Sequence, residues 1–479
     1  MKEIWFPKFL NMINIILTPG IIPYKEYSNL LKDPSLHVFF FVRNHAYKKL
    51  RSANPELKDV TRLDDFMVKR DFENLSYVAE HYNLVYNTII DDHLTWELEE
   101  RGVFLNYPWQ NIFSKTINLS CLVMNCIDAI GSIKPKFVFF HTTPHSILNW
   151  VFGRTAEILG IPVYYSRTAA LPWRSVLVKG LKQAEIIPFT DGKCEQDLIQ
   201  IFLENNTASY DKAIPSYEKR RFNQRHGNIW KWSTEFKQCV RENSLSRSFF
   251  RLVTLPYKRT AYNFYVNNSI KNLEGKYVAV FLHFQPERSS LPEGLYFSQQ
   301  INLIRTLRLG LPNDVVIYVK EHPANYMNKF DIRYRSKAFY KSLCEISNTY
   351  LVDMNVDSFS IISNAIAIAT ITGVVGVQAL IRGTSVLSFG NATYLGAPDC
   401  YCINDAIDVK NAYHSIIRTS KSDISHNTES YIKNSTSFSV SGIDEYDCED
   451  PFKQLYRLRA DSRVLLKLVD YYKGEITDV

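Results

Sequence analysis

The chain has 479 residues, 46% of them hydrophobic and 22% charged, which suits two buried cores and excludes a disordered chain. Its formal net charge of +7 is too mild to mark a nucleic-acid binder, and instead fits acidic small molecules or an anionic membrane surface. The eight cysteines include no Cys-x-x-Cys pair, so they read as reduced thiols, with no metal site and no dithiol chemistry.

In chain order, residues 4–17 are partly apolar but interrupted by Pro7, Lys8, Asn11 and Asn14, and Pro19-Gly20 follows. That is neither a signal peptide nor a spanning helix, which needs about 20 apolar residues. The expected location is the cytoplasm, with peripheral contact at the inner membrane left open. Short β-branched and aromatic runs at Ile15–Thr18, His37–Val42, Phe137–His141 and Val163–Ser166 predict strands. Helical patterns at Phe72–His81 and Ser146–Leu159 lie between them, and Gly160 is placed as a helix C-cap. The alternation predicts parallel α/β layering.

Residues 205–260 break the pattern. From Lys212 to Arg259 there are twelve basic residues against three acidic ones, interleaved with Trp230, Trp232, Phe249 and Phe250. The stretch reads as an interdomain helical region, either a solvated linker or a contact for an anionic membrane or lipid-linked acceptor. A second α/β half starts at Tyr277, with strands predicted at Val278–Leu282, Val315–Val319, Thr349–Val352, Ala365–Ala369 and Ser385–Phe389. Ser, Thr and Asn crowd residues 419–441, which reads as a mobile loop. An amphipathic helix is predicted at Pro451–Tyr472, with Leu455, Leu458, Leu465, Val469 and Tyr472 on one face and a solvated stripe of Arg459, Arg463 and Lys467 on another.

Three segments of the second half carry the chemical signal. In Phe281–Gly294 a strand opens into a polar loop holding Gln285, Glu287, Ser289 and Ser290, and such loops face the ligand crevice of open α/β sheets. In Val316–Asn325 an apolar run delivers Lys320, Glu321, His322 and Pro323 to a strand end, where Lys and His can donate to phosphate oxygens. In Ala369–Tyr394 a strand meets Thr370, Thr372, Gly373 and Gly376 as a helix opens, which offers free amides and a helix dipole to an anion. Gln378, one turn inside, can reach a ribose hydroxyl.

Together these segments resemble the C-terminal half of the bacterial capsular-polysaccharide biosynthesis glycosyltransferases, a group that includes Kdo transferases and is similar to GT-B sialyltransferases with a His-Pro motif. The matching residues are Gln285-Pro286-Glu287-Arg288-Ser289-Ser290, Lys320-Glu321-His322-Pro323, Thr372-Gly373-Val374-Val375-Gly376-Val377-Gln378-Ala379 and Ser388-Phe389-Gly390. The sequence departs from the family pattern at Val374, where a hydroxyl residue is usual, and at Gln378, where Glu is usual. The resemblance implies a GT-B fold of class α/β, with two Rossmann-like domains facing a cleft. It divides the chain into an acceptor-side domain (1–205), the basic region (206–270), a nucleotide-sugar domain (271–450) and a C-terminal helix packing back across the domains (451–479).

Under that resemblance the donor is a CMP- or UDP-linked sugar, Kdo or another acidic sugar, used without metal or cofactor. The acceptor is a lipid-linked or polymeric glycan of a capsule or O-antigen. Gln285, Glu287, Ser289, Lys320, His322, Pro323, Thr372, Gly373, Gly376 and Gln378 are expected to hold the nucleotide, and Lys320 and His322 to stabilise the leaving phosphate. The first half offers Asp91, Asp92 and His145 as general base or nucleophile, and Arg167 and Arg174 on the acceptor side. Asp91-Asp92-His93 also reads as a helix N-terminus. Three other readings stay open: a CDP-glycerol-type phosphotransferase, a UDP-sugar epimerase, and a non-catalytic subunit of a polysaccharide assembly complex.

Overall fold

A computed structural model of the chain describes residues 13–18, 28–53, 59–67, 71–98, 112–208, 245–285, 287–322, 325, 335–442 and 460–474. The strands of the first half are β1 (Ile13–Thr18), β2 (Leu36–Val42), β3 (Val60–Arg62), β4 (Phe137–Phe140), β5 (Val163–Thr168), β6 (Arg174–Lys179) and β7 (Glu185–Ile187). The second half adds β8 (Ser269–Ile270), β9 (Tyr277–Phe281), β10 (Val316–Lys320), β11 (Thr349–Val352), β12 (Ala367–Thr370), β13 (Ser385–Ser388), β14 (Cys400–Cys402) and β15 (Val440–Ser441). They form two sheets, and the chain divides into two compact units. Unit 1 is Met1–Lys193, Ser437–Asp444 and Leu455–Val479, and unit 2 is Cys194–Thr436 and Glu445–Gln454.

In unit 1 the strand order is β15-β6-β5-β4-β1-β2-β3, with β7 paired to β6. The pairs from β3 through β5 are parallel, while β6 is antiparallel to its neighbours. In unit 2 the order is β14-β13-β12-β9-β10-β11-β8, parallel throughout. Strands such as FVFF in β4 and AIAT in β12 are buried at every position, as a sheet covered on both faces requires. Both units are Rossmann-like, the fold class that the sequence implies. Among the described residues, no helix is long and apolar enough to cross a membrane.

Local signals set the helix ends. Ser146 caps Ile147–Ile158 by accepting from the Asn149 N–H at 3.3 Å. Gly160 leaves that helix at φ 78°, where a side chain would be strained. The helix predicted at Phe72–His81 runs instead from Leu75 to Ile90, so the apolar run before Asp91 is its last turn.

Residues 419–441 are not a loop. Ser420 caps the helix Lys421–Asn434, and β15 follows. Ile424, Thr428 and Ile432 recur every fourth residue on the buried face, and the polar residues that mimic a loop occupy the exposed one. Of the basic stretch, residues 209–244, including Trp230 and Trp232, lie outside the described residues. Leu245–Asn267 is a helix that sets Ala261 and Tyr265 into the core of unit 2.

The C-terminal helix is described from Ala460 to Tyr472; Leu455, Leu458 and Arg459 lie outside the described residues. Its Val464, Leu465, Leu468 and Val469 are buried in the core of unit 1. The basic stripe is docked rather than solvated: Arg463 pairs with Asp191 at 3.3 Å, and Lys467 donates to the Thr190 carbonyl at 2.7 Å. Arg174 lies in the same cluster. It is fully buried, and its guanidinium donates to Asp191, to the Lys193 carbonyl and to Ser439, so it fastens residues 437–442 to β6 instead of meeting an acceptor.

Burial pushes the Asp191 carboxyl up, but bonds from the Ser441 hydroxyl and N–H and the charge of Arg174 outweigh it, and its pKa falls below the ordinary 3.8. A carboxylate depressed in the folded state stabilises above its unfolded pKa, and the benefit is lost as pH falls through the folded value. Stability measured by urea unfolding is therefore expected to drop below about pH 4. Asp191→Asn should be less stable at neutral pH and should flatten that acid limb.

Candidate functional site

β9 enters the middle of the unit 2 sheet. From it the chain moves outward through β10 and β11, then returns to the other side of β9 as β12. The order reverses between β9 and β12, and ligands of open α/β sheets bind beyond the carboxyl ends of strands at such a point. The residues delivered there are His283–Gln285 after β9, Lys320–His322 at the end of β10 and Ile371–Gly373 after β12. All three sequence segments thus reach adjacent strand ends.

A buried polar network underlies them. Arg335, fully buried, donates through Nε to Glu321 Oε2 at 2.5 Å, through Nη1 to Gln285 Oε1 at 2.9 Å and through Nη2 to the His283 carbonyl at 2.7 Å. Glu321, 1% exposed, also accepts from the His322 N–H at 2.6 Å, Asn325 Nδ2 at 2.7 Å and the Tyr340 hydroxyl at 2.6 Å. A buried carboxylate is tolerated only when so fully bonded. The Glu of Lys-Glu-His-Pro therefore holds the strand end and sets the backbone of His322, whose half-buried ring lies 6.3 Å from that of Phe284.

Two expected nucleotide ligands also make bonds within the fold. Gln285 uses both ends of its amide internally, accepting from Arg335 and donating to the Ser298 carbonyl at 2.6 Å. Lys320 turns away from the reversal point and donates to the Val356 carbonyl and to Ser358 Oγ at 2.8 Å, beyond the end of β11. Thr372 gives its hydroxyl to the Ser289 carbonyl at 2.8 Å, and Ser289 donates to the exposed Glu287 at 2.9 Å. Pro286 and Pro323 lie outside the described residues.

The turn after β12 does open a helix, Val374–Ile381, with Gly373 at its N-cap. The amides of Gly373, Val374 and Val375 meet no acceptor among the described residues, the state expected of a first helical turn. At Gly376 a β-carbon would overlap the hydroxyl of Tyr394, which donates to the Gly373 carbonyl at 2.7 Å. That glycine lets Tyr394 brace the first turn. Val374 is 66% exposed and Gln378 only 8%. Gly383, after the helix, takes φ 75°.

His283 also lies inside the first segment, where nothing in the local motif marks it out. It is buried, and its Nε2 stands 3.0 Å from Thr370 Oγ1, 3.2 Å from the Ile371 N–H and 3.3 Å from the Thr372 N–H. Burial above all, helped by His322 and Arg335, pushes its pKa down to about 3, so the ring is neutral and Nε2 accepts.

Unit 1 has the same reversal, between β1 and β4. The ends of those strands bring together Thr18, His141, Thr142, Thr143 and His145, with Ser166 and the buried Arg167 at the end of β5. His145 Nδ1 lies 3.0 Å from the Thr143 carbonyl and His141 Nδ1 3.0 Å from the Thr18 carbonyl. A carbonyl only accepts, so in each ring Nδ1 carries a hydrogen. Asp91 and Asp92 are elsewhere. Asp92, with 1% of its side chain exposed, pairs with Lys182 at 3.2 Å and caps Leu94 at 3.1 Å. Lys182 follows β6, which runs down beside β5 to pair Lys179 with Tyr164, so both aspartates sit at the amino edge of the sheet, opposite the ligand edge.

Residues 298–398 match the family of capsule polysaccharide biosynthesis proteins. That span contains His322, Arg335 and the Thr372–Gln378 turn, and it begins after Gln285–Ser290. No curated protein matches the chain. Among solved structures, the UDP-GlcNAc 2-epimerase of Neisseria meningitidis bound to UDP-GlcNAc is 12% identical, covering 96% of this chain and 99% of its own at a TM-score of 0.23. The β-Kdo 2,7-transferase KpsC of Thermosulfurimonas dismutans is 14% identical, covering 64% and 88% at a TM-score of 0.27. The N-terminal domain of Candida albicans trehalose-6-phosphate phosphatase is 9% identical, covering 95% and 98% at a TM-score of 0.30.

Proposed function

We propose that this protein is a glycosyltransferase of capsule polysaccharide biosynthesis that moves a sugar from a nucleotide-activated donor to a growing glycan. The observation that carries this reading is the meeting of three motif segments at the β12-β9-β10 strand ends, two of them within the stretch that matches the capsule family.

In unit 2 the donor's phosphates would lie on the Gly373–Val375 amides, where the helix N-terminus favours negative charge. His322 stabilises charge on the leaving group, Gln378 and Ser289 contact the nucleoside, and no metal takes part. In unit 1 His145, at the ligand edge, is the general base, and Arg167 of β5 serves an acidic acceptor. The +7 charge supports an acidic donor, CMP- or UDP-linked, and a site of action at the anionic inner face of the membrane.

A second reading, a non-catalytic subunit of an assembly complex, draws support from the internal bonds of Lys320 and Gln285. A thermal-shift screen with CMP-, UDP-, GDP- and CDP-linked sugars separates the two. One nucleotide is expected to raise the melting temperature, by an amount equivalent to about 2.7 kcal/mol at a hundredfold excess over Kd. No shift with any of them would reject the transferase.

A further inference from the structure

The ends of β9 and β12 are joined through the side chain of His283. His283 reaches across from β9 so that a single nitrogen, Nε2, faces the Ile371 and Thr372 amides and the Thr370 hydroxyl, while Nδ1 lies 3.4 Å from Ser289 Oγ. The ring can come this close because residue 373 is glycine: a β-carbon there would lie 3.3 Å from Nε2 and 2.9 Å from Thr370 Oγ1. The main chain of His283 is itself fixed, its N–H donating to Gln300 Oε1 at 2.8 Å and its carbonyl accepting from Arg335.

We propose that His283 is a positioning residue that occupies the Ile371 and Thr372 amides and thereby presents the next three, those of Gly373, Val374 and Val375, to an anion. This rests on the reading of that turn as the donor-phosphate site. Buried main-chain donors need acceptors, and the imidazole supplies one that no phosphate has to supply. The turn is then ordered before ligand arrives, and an incoming anion does not have to organise it. A neutral ring is required for this work, and the buried surroundings of His283 keep it neutral throughout the physiological range.

The test compares full-length wild type with His283→Gln, His283→Asn and His283→Met. Gln places its Oε1 where Nε2 stood, whereas Asn is too short and Met offers no comparable acceptor. Hydrogen exchange over residues 367–376 is read without ligand, and thermal shifts are read with inorganic pyrophosphate and the four nucleotide sugars. Exchange at Ile371 and Thr372 should rise about tenfold or more in Asn and Met and stay within about threefold in Gln. The ligand shift should be lost in the first two and kept in Gln. Wild-type protection in both Asn and Met, or equal loss in all three variants, would overturn the proposal. If wild type responds to no ligand, the donor reading fails, and the exchange comparison still decides the role of His283.

Discussion

Arg335→Met is expected to destabilise unit 2 by about 3–5 kcal/mol, the cost of leaving a buried charge without its partner. The guanidinium is inaccessible to solvent and supplies donors to Glu321, to Gln285 and to the His283 carbonyl at once. Its removal leaves the Glu321 carboxylate with the His322 N–H, Asn325 and Tyr340, and with no cation in the pair. Methionine fills similar volume, so the loss reports charge more than packing. The double variant Glu321→Gln/Arg335→Met should recover part of it, because the orphaned charge is gone as well. Urea unfolding of the three proteins reads both effects. A single variant within about 1 kcal/mol of wild type would show that the network does not hold these strand ends.

His322→Ala is expected to lower kcat by roughly 10²–10³, the scale for removing one group that stabilises developing charge. The assay uses whichever donor the thermal screen identifies. The backbone of His322 is set by Glu321 and its carbonyl accepts from the Asn325 N–H at 3.1 Å, so truncating the ring should leave the strand end in place. An unchanged rate would remove His322 from the chemistry. A change in KM alone would make it a binding group.

Much of the fold is legible in the sequence because it is written in local terms. Runs such as YVAVF and FVFF are strands wherever a sheet is covered on both faces, and Ser146, Gly160 and Gly383 mark helix ends by their own conformational demands. Residues 419–441 have the composition of a loop but the spacing of a helix: Ile424, Thr428 and Ile432 are separated by four.

The site was legible as segments and not as roles. That Lys320 and Gln285 lie at strand ends follows from the motifs, but where their side chains turn depends on Ser358 and Arg335, distant in the chain. Arg335 belongs to no local motif, so nothing near it announces the pair with Glu321. His283 stands inside a quoted segment, and its role emerges only once β12 is known to lie beside β9. Asp91 and Asp92 satisfied the chemistry of a base, and the antiparallel descent of β6, invisible in the motif, sets them at the opposite edge.

Unit 1 closes with pieces from the far end of the chain: β15 lies against β6, and the helix Ala460–Tyr472 fills its core. During synthesis, residues 194–436 leave the ribosome before those pieces exist. Until then the Arg174–Ser175 end of β6 lacks its β15 partner, and Arg174 has Asp191 but not Ser439. The first unit to begin is the last to be finished, because most of the second, residues 194–436, is inserted within it.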